Sequence, residues 1–104
     1  MVAFGDYNPA LTKAINRIAK KGSEGIAFVD HAEDRMEERG FDHSDVMLCL
    51  RRGKAHGPEI IENELRANVV HLGIHIRVVV RGLDDVDADW TLLEGVSVVT
   101  VIGA

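Results

Sequence analysis

The sequence predicts an α+β domain in which N-terminal helices pack on an antiparallel sheet of about four strands. Three observations carry this expectation. Residues 9–52 hold apolar side chains at helical spacing, punctuated by capping residues. Residues 58–102 are rich in Val and Ile, and residues 74–80 alternate with a period of two. Helices therefore come first and strands after, which favours α+β over a doubly wound sheet.

The first helix is expected over residues 9–21, in "NPALTKAINRIAKKG". Asn8 suits the N-cap, Pro9 the first turn and Gly22 the C-terminal cap. Leu11, Ile15 and Ile18 form its apolar stripe, and Lys13, Arg17, Lys20 and Lys21 fall largely off it. "GIAFVD" is long enough for a strand of about four residues. Asp30 is then expected to cap a second helix, "HAEDRMEER", which stops at Gly40 with Ala32 and Met36 turned inward. "DHSDVMLCLRRG" reads as a third helix, capped by Asp42 or Ser44 and stopped by Gly53. Cys49 lies on its apolar side and reads as core packing.

After Gly57-Pro58 the pattern changes. "PEIIENEL", "RANVVHLG" and "IHIRVVVRG" read as strands. In the last, Ile74, Ile76, Val78 and Val80 are expected to face the core. His75, Arg77 and Arg81 then face away or into a groove. Gly73 fits either a bulge or a tight turn. "LDDVDAD" is an acidic surface loop, and "VSVVTVIG" a final buried strand.

A chain of 104 residues makes one domain, with 46% hydrophobic and 28% charged residues. Its single cysteine forms neither an internal disulfide nor a multi-thiolate zinc site. No apolar run has the length of a signal peptide or a membrane span, so the expected location is cytoplasmic. Net charge is −5, but unevenly spread. Residues 1–57 carry nine Lys/Arg against nine Asp/Glu, and residues 58–104 carry three against eight. No phosphate-binding loop, dinucleotide fingerprint, H-E-x-x-H or G-x-S-x-G motif occurs, and no cofactor is implied.

The residues that invite chemistry lie in "DHAEDRMEERGFDHSDV". His31, Arg35 and Arg39 stand four apart, as do Asp30, Asp34 and Glu38 beside them. On a helix each trio becomes a column of like charge, a few tenths of a kcal/mol unfavourable per pair. The basic column borders the Ala32/Met36 face, where arginine stems are buried and their heads directed along a cleft. Histidine moves protons near neutral pH, and guanidinium groups hold phosphate bidentately. Together they suffice for metal-free RNA cleavage, in which the 2′-hydroxyl is the nucleophile. The competing reading is structural: Asp34 and Glu38 would pair with His31 and Arg35 at i, i+3. Among the five histidines, His71 and His75 share a face if their strand is continuous, which allows a weak metal-binding reading.

"HAEDRMEERGFDHSDVMLCLRRG", followed by Val-rich strands ending in "VVTV", resembles bacterial domain-of-unknown-function family 4258. The shared signature is a histidine, then Arg-Met, then Glu-Arg-Gly, then a polar helix ending in Gly. The resemblance covers residues 27 to about 102. It implies a RelE/ParE-like toxin fold: helices on a curved antiparallel sheet, with metal-independent ribonuclease activity. Residues 1–22 are then a helical extension of a core spanning 23–104. Carried over by position, the implied site is His31, Arg35, Arg39 and Thr100. Arg77 joins it as a residue reaching in from the strand face. The implied partners are an RNA substrate and a protein such as an antitoxin. The extension and the acidic charge depart from the pattern of basic ribosome-dependent toxins. The rival reading on the same fold is a non-catalytic interaction module of a phage or mobile element.

Overall fold

Asn8 starts the first helix as its sequence suggests: its side chain accepts the Leu11 N–H at 3.0 Å. The computed structural model describes residues 5–103. Helix α1 spans Pro9–Lys20 and buries Leu11, Ala14, Ile15, Ile18 and Ala19. It is thus part of the core rather than an appendage, packing on α3 and β2. Strand β1 (Ile26–Phe28) leads into α2 (Asp30–Arg39), whose buried residues are Ala32 and Met36. The cap of α2 differs from expectation. Val29 occupies the N-cap without a side-chain hydrogen bond, and Asp30 is the first helical residue. There its carboxylate favours the helix dipole instead of capping an N–H. Gly40 ends α2 at φ +74°, a left-handed geometry that glycine adopts without strain.

Of the two caps open to α3 (His43–Arg52), Asp42 is used. Asp42 Oδ1 accepts the Asp45 N–H at 2.9 Å, and Asp45 Oδ2 accepts the Asp42 N–H at 3.0 Å. Gly53 follows at a close approach. A Cβ there would run into the Cys49 carbonyl and the Val69 side chain. Cys49 is fully buried, and burial pushes its thiol up to about 12. It is a packing residue, not a nucleophile.

The sheet has five strands in the order β1-β5-β4-β3-β2, with β2 Lys54–Ile61, β3 Glu64–His71, β4 Ile74–Arg81 and β5 Gly95–Gly103. It is mixed rather than purely antiparallel, and has one strand more than expected. Residues 26–28 join β5 in parallel, tied by Val96 N–H to the Gly25 carbonyl and Val29 N–H to the Val98 carbonyl. The β2–β3 turn is Glu62-Asn63 and the β3–β4 turn Leu72-Gly73, all four residues at positive φ. Two successive positive φ values match the twist of a two-residue hairpin. Gly73 is therefore a turn residue, not a bulge.

Strand β4 has the expected alternation. Ile76, Val78 and Val80 are buried against Val96, Val98 and Val101 of β5, in one core with Leu11, Ile15, Val46 and Leu50. Strand β5 slips phase in the middle. Val78 pairs with Val98, yet Arg77 pairs with Thr100, leaving Val99 as an extra residue. Such a bulge shifts the alternation by one. Val96 and Val98 face the core before it, and Val101 faces the core after it, while Thr100 turns to the other face. Among the described residues no helix is long and apolar enough to cross a membrane.

Candidate functional site on the outer sheet face

The sheet face turned away from the helical core carries a polar row. His56 of β2 pairs with Asn68 of β3, Asn68 with Arg77 of β4, and Arg77 with Thr100 of β5. Paired residues on neighbouring strands point to one side, and strands lie about 4.8 Å apart, so the row crosses four strands. Tyr7 lengthens it by an isolated antiparallel bridge to His56.

Two residues before Arg77 stands His75, on the same face. It is buried, and its Nε2–H donates to Asn68 Oδ1 at 2.8 Å. Its pKa is held below the usual value of 6.5, first by burial and then by the nearby Arg77 and His56 charges. At neutral pH the ring is uncharged. Arg77 is half-buried, and among the described residues it has no carboxylate within ion-pairing distance. Arg66, on the next row of this face, is by contrast committed to Glu64 at 2.9 Å and Glu62 at 3.5 Å. Arg77 therefore presents an uncompensated positive charge between a neutral histidine and a hydroxyl.

The five residues named by the sequence divide into two groups. Arg77 and Thr100 are brought together as register partners, Thr100 by the phase slip at Val99. His31, Arg35 and Arg39 lie on α2 and are not members of the row. His31 and Arg39 are exposed. Arg35 follows the structural reading, paired with Glu38 at 3.1 Å in a contact with 42% and 61% of the side chains exposed. The matching pair His31–Asp34 is not formed among the described residues. The start of α2 nevertheless borders the outer face. Val29 lines a cleft of about 420 Å³ there, with Glu64, Val79, Arg81, Ser97 and Val99.

The metal reading is overturned by the hairpin. With the turn at Leu72-Gly73, His71 pairs with Ile74 and Val70 with His75, so the two histidines lie on opposite faces. Among the described residues no group of three or more His, Cys, Asp or Glu could hold a metal ion.

Asn68 and the pairing of His56 with the Arg77 row are not evident from single strands. Their only sequence signal is polar residues at alternate positions of two strand-forming segments, "RANVV" and "KAHG". The slip in β5 has a clearer one: in "VSVVTV" the doubled valine Val98-Val99 interrupts an alternation whose inward positions are Val96, Val98 and Val101. The chain matches no family model, and comparison with curated proteins and with solved structures returns no significant match.

Proposed function

We propose that the chain is a metal-independent ribonuclease of the RelE-like toxin type, acting on single-stranded RNA across the outer sheet face. The observation that carries this reading is Arg77: half-buried, free of carboxylate partners among the described residues, and in register with Thr100. A guanidinium so arranged suits a phosphodiester, which it would bind bidentately and stabilise as charge builds on phosphorus. The Thr100 hydroxyl would donate to a non-bridging oxygen. His31, on the helix that starts at the border of this face, would take the proton from the 2′-hydroxyl as that oxygen attacks phosphorus. His31, protonated by that step, would then return the proton to the departing 5′-oxygen, leaving a 2′,3′-cyclic phosphate. Arg35 and Arg39 would hold flanking phosphates. His75, neutral and tied to Asn68, would position Arg77 without competing for the anion.

The test is induced expression in bacteria of wild type, Arg77→Ala and His31→Ala, with growth and RNA integrity followed. Growth arrest with cyclic-phosphate RNA ends in wild type, lost in both variants, is the expected result. Harmless accumulation of folded wild type would overturn it, as would full toxicity of Arg77→Ala. A second reading, a non-catalytic module that docks on a protein, is favoured by one feature. Asp84, Asp85 and Asp87 are all exposed in the loop before the short 3₁₀ turn at Trp90–Leu92. A basic partner captured at low salt and released at high salt, by harmless wild type, would favour that reading.

A further inference from the structure

The far end of the polar row carries an aromatic ring with no role in the phosphate chemistry. Tyr7 is 48% exposed. Its backbone is nonetheless fixed. The Asp6 carbonyl accepts the Gly57 N–H at 2.8 Å, and the Asn8 N–H donates to the Ala55 carbonyl at 2.9 Å. Asn8 Nδ2 adds a 3.0 Å bond to the Gly57 carbonyl. The segment thus lies along the edge of β2 as a short added strand. Gly57 and Gly5 permit the approach, both at positive φ.

Around this ring stand two basic groups. The Lys54 ammonium lies 5.7 Å from the ring centroid, a cation–π distance. The His56 ring lies 5.8 Å away, tilted by 55°. A tilted neighbour leaves part of the tyrosine face uncovered, and a buried core residue would not hold an ammonium over its ring. An exposed, rigid aromatic flanked by cations is the arrangement that single-stranded nucleic-acid surfaces use: the ring stacks a base, and the cations meet the backbone. Tyr7 stands three strand spacings from Arg77 along the row, roughly 14 Å. That is within reach of a nucleotide neighbouring the one whose phosphate Arg77 would hold.

We propose that Tyr7, with Lys54 and His56 beside it, is a nucleobase-stacking subsite for single-stranded RNA. This rests on the phosphate-binding reading of Arg77 and extends it to substrate choice. Stacking accepts every base, so the subsite selects unpaired over duplex RNA rather than reading a sequence.

The experiment measures binding of the full chain to a short 2′-O-methylated single-stranded RNA, which lacks the nucleophile and stays intact. Binding to the same backbone with abasic positions is measured alongside. Tyr7→Ala should weaken binding to the base-bearing oligomer roughly tenfold or more, leaving the abasic one unchanged. Tyr7→Trp should retain or improve binding, which guards against a folding artefact. Arg77→Ala should weaken both oligomers alike. Equal affinity of Tyr7→Ala and wild type for the base-bearing oligomer would overturn the subsite and leave the Arg77 reading standing. Wild type that binds neither oligomer would overturn both.

Discussion

The two faces of strand β4 show how eight residues serve two purposes. On one face Ile76, Val78 and Val80 are almost wholly excluded from water among valines of β5 and the apolar stripes of α1 and α3. On the other, His75, Arg77, Val79 and Arg81 meet Asn68, Thr100 and Ser97. The inner face is redundant: any apolar side chain of similar volume keeps it dry. The outer face is specific. A neutral histidine, an amide and a guanidinium stand in a fixed order, the order on which the proposed phosphate binding depends. Stability and chemistry are thus divided by a single-residue alternation, which makes them separable by mutation.

Ile76→Ala should sharpen the division most. It removes a fully buried side chain and leaves a cavity, so a loss of about 2–5 kcal/mol is expected in denaturant unfolding. Val78→Ala should cost about 1–3 kcal/mol by the same route. If either costs no more than a surface change, the inner face is not the core.

The pH dependence of stability should come next, and it belongs to the outer face. The His75 pKa is lower in the folded chain than the usual 6.5, so the folded state binds the proton less readily than the unfolded one. Its contribution is therefore complete above about pH 6.5 and lost as pH falls through the lowered value. His75→Gln should flatten that limb in unfolding curves taken at pH 7.5 and below 6. An unchanged slope would remove His75 from the account.

Arg77→Ala should alter stability by only about 0.5 kcal/mol, since the side chain is half-buried and gives up no ion pair among the described residues. Under the proposed function its loss falls on RNA binding and cleavage. Should the melting temperature fall along with function, the two faces are not separable after all. Smallest of all is Glu38→Gln, which breaks the exposed pair with Arg35 and should change stability by a few tenths of a kcal/mol.

Much of the fold is legible in local patterns. The Asn8 and Asp42 caps, the stop at Gly40 and the inward set of β4 all follow from residues within a few positions of one another. The cap of α2 is not legible, because Asp30 has a cap's chemistry one residue too late. The parallel pairing of β1 is a contact between residues about seventy apart, which no local period encodes. The candidate site divides the same way. Arg77 stands out as the charged member of an apolar alternation. Its neighbours Asn68 and His56 become neighbours only through two hairpin registers. The pairing of Arg35 with Glu38 followed from i, i+3 spacing, but spacing could not say that His31 and Asp34 would stay apart.

The extra residue at Val99 has a consequence for how this domain can vary in length. A chain that loses Val99 does not upset the pairing of β5. It leaves Val98, Thr100 and Val101 in plain alternation, with the threonine still outward and Val101 still inward. Single-residue deletions there should be far better tolerated than two-residue deletions. A chain that loses two residues exchanges inside for outside from that point onward. In this strand, the parity of a length change matters more than its size.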